Sequence, residues 1–587
     1  MAALLRVRCE VCWDKFHSQF TAPYPACGKF IPMRIQFPIT HSLSRAVLPA
    51  VAGVGALTVA LGAFGAVVPV AQAQSAASSS LSSNLSSNPF GNGGSDSDAD
   101  GHAAPSHHRE VLWSEDFDEL DNPAKFTHRV PEGWTSASEG VHSGEARWNG
   151  WTMSTIRDWT WAAGTDKRHY FTQAHDQLAI IDSEQQRLND KDHMDASLVS
   201  PEVGVAGRDK VSVEFDHHYR QGDKGQDAVV SVSFDGSEKQ ELKVFDADQF
   251  SAHEAFDVEV PAGATSMQIH FDYRGGNNDY WWAVDNVSVA EPLGEVSGKP
   301  QAIIDVLSDT QDDNDDYRDA VKQLNAMPDK AGALVLNGDL VDNGSKEQWD
   351  AFMQAHKDTP HDSGKELWTI GNHEMYGDEG SETYMRRFLE NSGQDKPWKE
   401  EVVDGVPLIS VNPEYYSDID RGGKEPFQRI SQEQLDWLDS RLAYWDAKGT
   451  PALVFTHPLL PQTVSMSYSA WYQNDFEDLE AVSNVLNKCN NIVAFTSHSH
   501  SSLKQNNWWG VRRYDGTGEA GKRGFPVVNT GAVLNEFMPD GDHDEEIVTE
   551  PADHSTGLRV KVYDDRVRVE AWDFKKHKMM KFHDFAR

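Results

Sequence analysis

The stretch AGALVLNGDLVD, residues 331–342, runs a short apolar segment straight into Gly-Asp. An unbroken run of Ala, Leu and Val at 333–336 reads as a strand covered on both faces, and such strands belong to parallel sheets under helices. The pattern recurs along the second half of the chain. Apolar runs at 302–307, 367–370, 453–456 and 492–496 lead into Ser308-Asp309-Thr310-Gln311, Gly371-Asn372-His373-Glu374, Thr456-His457-Pro458 and Ser497-His498-Ser499-His500. Helical stretches separate them. The clearest is 431–447, where Ser431 and Gln434 give a capping-box signature and Leu435, Leu438 and Leu442 an apolar stripe. This alternation predicts an α/β domain with its chemistry at the carboxyl ends of the strands. Residues 558–563 and 567–572 read as a hairpin completing a sheet.

The residue types in these motifs suit two cations. Carboxylate, amide oxygen and imidazole favour Mn, Fe or Zn, and no thiolate is offered. A carboxylate can bridge two metals, and metals about 3.5–4 Å apart clamp the attacking and leaving oxygens of an in-line displacement. His498 and His500 flank one residue, so on an extended segment they face the same way, one to each metal.

Taken in order, the five motifs resemble the calcineurin-like metallophosphoesterase family, whose pattern is D-x-H, G-D-x-x-D, G-N-H-[DE], H and G-H-x-H. The resemblance covers about residues 301–575 and implies a four-layer fold of two β-sheets flanked by helices. It implies that one metal takes Asp309, Gln311, Asp339 and His500, and the other Asp339, Asn372, His457 and His498, with Asp339 as the bridge. A hydroxide between the metals is then the nucleophile, and His373 protonates the leaving oxygen. Asp342 orients His373 and stabilises its charged form. Two positions depart from the pattern. Gln311 stands where the family usually has His and is a weaker, neutral ligand. Ser497 replaces the glycine of G-H-x-H, so the turn there must lie at negative φ. The second motif lacks the Tyr ligand of purple acid phosphatases, so no charge-transfer ferric centre is expected.

Residues 109–295 read as all-β. Val211, Val213 and Phe215 alternate with Ser212, Glu214 and Asp216, and Val230, Val232 and Phe234 or Met267, Ile269, Phe271 and Tyr273 do likewise. Such period-2 patterns between Gly/Asp turns mean antiparallel strands in a sandwich. Phe117-Asp118, Leu198-Val199-Ser200-Pro201 and the closing Asn278-Asp279-Tyr280-Trp281-Trp282-Ala283-Val284-Asp285-Asn286-Val287 resemble jelly-roll modules of the cleaved-adhesin and MAM type. The expected organisation is an N-terminal extension and signal peptide (1–73), a Ser/Asn/Asp-rich linker (74–108), the jelly-roll module (109–295) and the phosphoesterase domain (300–587).

Residues 46–73 carry no charge and end in Ala71-Gln72-Ala73, a small-x-small pattern that predicts cleavage after Ala73. The run is also long enough for an anchor, but its Ala/Gly/Val richness favours a cleaved signal. Met33 is a more natural start for such a signal than Met1. Of the four cysteines, Cys9, Cys12 and Cys27 precede the run, so cleavage leaves only Cys489 and no intrachain disulfide. The net charge of −39 repels nucleic acid and anionic membranes, and cations would be needed to bring a phosphate ester to such a surface.

Other features read as structural. The acidic run at 312–316 lacks the Gly and Glu of a calcium loop and fits the first turn of a helix. Glu374 reads as structural, and His217 and His218 point to opposite faces of a strand. Of Trp113, Trp134, Trp148, Trp151, Trp159, Trp161, Trp281 and Trp282, most are expected in the core, and the rest offer a glycan-stacking face. Asp116 and Asp285 are candidates for a structural calcium. Tyr376, Tyr415, Tyr416, Trp471 and Arg512 are candidates for substrate contact. The leading expectation is an exported hydrolase of phosphate monoesters or diesters, without a stable membrane span once the signal is cleaved. The competing one is a surface adhesion or glycan-binding protein with a phosphoesterase domain weakened by Gln311.

Overall fold

A computed structural model describes residues 109–587 apart from 141–145, 187–192, 223–224, 416–427, 470–471, 514–523, 540–545 and 549–552. The expected signal segment and linker, together with Tyr416 and Trp471, lie outside the described residues. The described residues belong to one compact unit.

The N-terminal part of that unit is a two-sheet β-sandwich. One sheet runs Gln249–Glu259, Lys210–Tyr219, Trp281–Ala290, Gln177–Asp182, Thr152–Thr155, with Val111–Glu115 also paired to Trp281–Ala290. The other runs Thr135–Gly140, Met194–Val199, Ser266–Gly276, Asp227–Phe234, Gln240–Phe245. Their described pairings are antiparallel. The inward set Val211, Val213, Phe215, Val230, Val232, Met267, Ile269 and Phe271 fills the space between the sheets, as the alternation requires. His217 joins this core, accepting from Trp282 Nε1 at 3.2 Å, while His218 faces the other way and stacks on Phe171. Six of the eight tryptophans named above are buried, and Trp161 alone of the eight is largely exposed, at 81 %.

The C-terminal part carries two mixed sheets. Five strands precede the motifs: β1 (Ala302–Leu307), β2 (Ala333–Asn337), β3 (Glu366–Thr369), β4 (Ala452–Phe455) and β5 (Ile492–Thr496). The first sheet runs β3, β2, β1, Thr556–Val562, Arg566–Asp573, Lys578–Ala586, with β1, β2 and β3 parallel and the last three strands antiparallel. The second runs Lys399–Val403, Val406–Ser410, β4, β5, Phe525–Asn529, Trp509–Arg512, and β4 and β5 are parallel neighbours. Ile304, Val306, Val335, Leu453, Phe455 and Phe495 pack between the sheets. Helices Asn314–Ala326 and Lys346–Asp358 cover the first sheet, and Gln432–Asp446 and Leu479–Asn487 cover the second. The result is two β-sheets packed together and flanked by helices.

Two local readings are refined. Asp313 caps Asn314–Ala326 by accepting from Asp316 N at 3.1 Å, with Asp315 and Asp316 in the first turn, so the acidic run serves the helix dipole. Ser431 caps Gln432–Asp446 from Gln434 N at 3.2 Å, but Gln434 does not return the bond. Its amide is drawn instead to Asn412 O (2.9 Å) and Glu414 Oε1 (2.8 Å), so only half of the capping box forms.

The sandwich packs on the edge strand Trp509–Arg512. Gln173 Nε2 donates to Trp509 O at 3.1 Å, Asn507 Nδ2 to Thr172 Oγ1 at 3.0 Å, and Tyr170 stacks on Tyr468 with centroids 4.6 Å apart. No helix among the described residues is long and apolar enough to cross a membrane.

Candidate metal centre

Parallel order fixes where the motifs meet. Each of the five strands ends at one of them, and adjacent parallel strands deliver their carboxyl ends to a common edge. Asp309 N donates to Gly338 O at 3.0 Å and Gln311 N to Asp339 O at 2.9 Å, which stitches the first loop onto the second. Gly338 and Gly371 are required by crowding. A Cβ at Gly338 would collide with His457 Nδ1, and one at Gly371 with Asp339 Oδ1.

Five of the seven expected ligands sit at positive φ: Asp309 (51°), Gln311 (49°), Asp339 (51°), His498 (71°) and His500 (49°). Left-handed backbone costs a non-glycine residue on the order of 1 kcal/mol or more and persists where the surroundings impose it. The segment carrying His498 and His500 is therefore a bend and not the extended piece assumed from their spacing. Ser497 keeps negative φ, and the left-handed residue is the following histidine.

The structure gathers two groups of ligand atoms, each within 4.8 Å: Asp339, His457 and His498, and Asp309, Asp339 and His500. Asp339 is common to both. His457 Nε2 lies 3.0 Å from Asp339 Oδ2, and His500 Nε2 3.3 Å from Asp309 Oδ1. Asn372 Oδ1 is 3.2 Å from His457 Nε2, and its Nδ2 donates to Tyr376 OH at 2.8 Å. Gln311 Nε2 is 3.3 Å from His373 Nε2 and 3.5 Å from His500 Nε2. These residues fit divalent cations. Both carboxylate oxygens of Asp309 are buried without a hydrogen-bond donor, an arrangement that is costly unless a cation meets them. His457 Nδ1 is tied to Asn337 O at 2.9 Å and His500 Nδ1 to Asn535 Oδ1 at 2.8 Å, so both rings turn Nε2 inward.

The electrostatics are dominated by buried opposites. Burial works to raise the Asp339 carboxyl, but His457 and His373 outweigh it and hold it below the usual carboxylate range. Burial likewise opposes a charge on His457, and Asp339 overrides it, raising the imidazole to about 10. His500 is raised by Asp309 against the same burial. His498 is pushed well below the usual imidazole value by burial and then by His457, which leaves it neutral and ready to ligate.

His373 lies beside this group. Its backbone N donates to Asp339 Oδ1 at 2.9 Å, its Nδ1 meets Asp342 O at 2.7 Å, and its Nε2 is 3.9 Å from Asp339 Oδ2. Asp342 thus holds His373 through its main-chain carbonyl, while its half-exposed carboxylate stays 3.9 Å away.

Glu374 is fully buried and accepts three backbone N–H groups, from Leu340 at 2.6 Å, Asp339 at 3.0 Å and Gly371 at 2.6 Å. Burial and then Asp339 push its carboxyl up to about 7, and the amide donors restrain the rise. A Gln here has one acceptor oxygen and would set an NH2 against an N–H. Glu374→Gln is expected to cost about 1–3 kcal/mol of stability, measured by thermal or urea denaturation.

Sequence reasoning passed over Asn337, Asn535 and the role of Ser497. Ser497 Oγ donates to Asn337 O at 2.7 Å and sits 2.9 Å from His457 Nδ1, so the departure from glycine adds a hydroxyl that steadies a ligand. Its replacement of the usual glycine was the available signal; Asn535 had none. Of the candidates for substrate contact, Tyr376 lies at the centre, its ring 4.7 Å from His373. Tyr415 instead lines a cavity of about 680 Å³ beside Ser381–Ser392, and Arg512 Nη1 donates to Pro461 O. Asp116 and Asp285 are not joined into a ligand group among the described residues. Asp285 accepts from His175 N and Asn286 N, and Asp116 lies 3.6 Å from Arg513.

Residues 303–502 match the Calcineurin-like phosphoesterase family, and residues 503–585 match a domain of unknown function, DUF4073. No curated protein matches the chain. Among solved structures, a dimetal phosphatase from Danio rerio is 14 % identical, with a TM-score of 0.34 over 49 % of this chain and 99 % of that one. The purple acid phosphatase PPD1 from yellow lupin seeds is 12 % identical, with a TM-score of 0.34 over 70 % and 81 %. The K3 cleaved adhesin domain of Lys-gingipain from Porphyromonas gingivalis is 16 % identical, with a TM-score of 0.20 over 31 % and 99 %. The chain carries a C-terminal calcineurin-like phosphoesterase domain behind a β-sandwich module. With its dinuclear His/Asp site, it is a metal-dependent phosphoric ester hydrolase.

Proposed function

We propose that this chain is an exported hydrolase of phosphate monoesters or diesters in which Asp309, Gln311, Asp339 and His500 hold one metal, and Asp339, Asn372, His457 and His498 the other. The observation that carries this reading is the membership of buried Asp339 in both ligand groups. Carboxylate, imidazole and amide oxygen favour Mn, Fe or Zn. Bound there, two such cations would activate water for in-line attack on phosphorus and offset the charge of the phosphoryl group.

The chain's own residues supply the rest. Tyr376 OH anchors the Asn372 amide nitrogen, which turns Oδ1 inward. The bond from His373 Nδ1–H to Asp342 O aims Nε2 at the centre, and from there it delivers a proton to the departing oxygen. The charge of −39 argues against nucleic acid as substrate. A cell-surface glycan is the ligand proposed for the sandwich, with the exposed Trp161 as its stacking residue. Export rests on the uncharged run ending at Ala73, and a structural calcium near Asp116 and Asp285 belongs to the same sequence-based reading.

Purified protein should contain two metals per chain and hydrolyse bis-p-nitrophenyl phosphate or p-nitrophenyl phosphate. Chelation should end turnover, and Mn, Fe or Zn should restore it. The mature N-terminus read from culture medium should be Gln74. Protein with neither metal nor turnover on a panel of nucleotides, cyclic nucleotides, sugar phosphates and glycerophosphodiesters would defeat the enzymatic reading.

A further inference from the structure

Residues 503–585 match a domain of unknown function, yet their strands are built into both phosphoesterase sheets. Thr556–Val562 pairs with β1, and Phe525–Asn529 pairs with β5. Between them, residues 530–537 form a strap across the carboxyl ends of β1 and β5. Val533 N donates to Ser308 O and Leu534 N to Asp309 O, each at 3.0 Å, and Phe537 N donates to His500 O at 2.8 Å. Ser308 Oγ lies 2.8 Å from Thr530 Oγ1 and donates to Gly531 O at 2.9 Å. The strap is itself anchored by Glu536. That fully buried carboxylate accepts from Ser502 Oγ at 2.9 Å and Lys504 Nζ at 3.2 Å, and faces His554 Nδ1 at 3.3 Å.

The strap therefore grips Asp309 and His500, which share one ligand group. His457, of the other group, is held elsewhere, by Asn337 O and Ser497.

We infer that Asn535 is the positioning residue of the Asp309/His500 metal position; this rests on the ligand reading given above. Asn535 Oδ1 lies 2.8 Å from His500 Nδ1. As an acceptor it keeps the ring hydrogen on Nδ1, and the Nε2 lone pair then faces Asp309 Oδ1. Without an acceptor the other tautomer is free to form, and a hydrogen on Nε2 blocks ligation. Gln311 increases the dependence. A neutral amide oxygen contributes less than a histidine in the same place, so this position leans on His500. The DUF4073 segment thus completes the metal site instead of forming a separate module.

The test uses the full-length protein, dialysed against manganese. Metal content is measured by mass spectrometry, and the dinuclear state by electron paramagnetic resonance. Wild type and Asn535→Asp, which retains an acceptor, are expected to hold two Mn per chain with a spin-coupled signal. Asn535→Leu and the smaller Asn535→Ala, neither of which offers an acceptor, are expected to bind the second Mn about 10–100-fold more weakly and to show an isolated Mn signal. Circular dichroism and melting temperature report folding independently, and Asn535→Ala serves if Asn535→Leu does not fold. Two Mn held at wild-type affinity in the Leu or Ala variant would overturn the inference, as would loss in Asn535→Asp equal to theirs. Wild type with fewer than two Mn would instead remove the ligand reading on which the inference stands, and the inference with it.

Discussion

Asp339→Ala is expected to lower turnover by about 10⁴-fold or more and to empty both metal positions, because one carboxylate serves both ligand groups. The loss should exceed that from any single ligand on either side. The same substitution strips the counter-charge from His457, whose imidazole is held at about 10 by that carboxylate against the pull of burial. With Asp339 gone, burial prevails and His457 becomes neutral, which spares the fold an uncompensated buried charge. Metal-free variant protein should therefore remain folded. Its His457 resonance in NMR should titrate well below its position in the wild-type protein, since the largest raising influence is gone and burial remains. Asp339→Asn preserves shape and the contact with His373 N, yet offers one neutral oxygen to two metals. It should retain at most one. Metal analysis and turnover on the two nitrophenyl esters check both variants. Full occupancy in Asp339→Ala would show that the carboxylate is no bridge.

The parts of the fold that were legible in the sequence are those whose burial leaves a pattern. β1, β2 and β5 lie between helices and a second sheet, so nearly every side chain is covered and the strands read as apolar runs, interrupted in β1 by Asp305, which is buried against His361 Nε2 at 3.0 Å. The sandwich strands were legible because one face meets the core and the other is more polar. Lys399–Val403 was not, because this edge strand carries Lys-Glu-Glu and is mostly half exposed, so its pairing with Val406–Ser410 decides it and propensity does not.

The site divides along the same line. Residue types fix which side chains can ligate, and strand ends fix where they cluster. Ring orientation is decided by partners far away in sequence. Asn337 O reaches His457 across 120 residues and Asn535 reaches His500 across 35. No spacing rule spans such gaps. The bend at His498 and His500 escaped notice for a related reason. An i, i+2 argument holds on a strand, and the strand ends at Thr496. The left-handed backbone beyond it is imposed by the surrounding loops and not by the local sequence.

His373→Ala separates proton donation from metal binding. The His373 side chain is 22 % exposed, and its anchoring bond to Asp339 runs through the backbone amide, which alanine keeps. The variant should fold and retain two metals. What it loses is Nε2, aimed at the centre by the bond to Asp342 O. General-acid catalysis contributes about 10²–10⁴-fold, and only where the leaving oxygen needs a proton. An alkyl phosphate expels a strongly basic alkoxide and should suffer that full loss in kcat. A p-nitrophenyl ester expels a stabilised phenolate and should lose about tenfold or less by the same reasoning. Equal losses on both esters would mean that His373 stabilises charge or positions substrate without donating a proton. A fall in metal content would instead make it part of the ligand scaffold, next to the Gln311 amide 3.3 Å away.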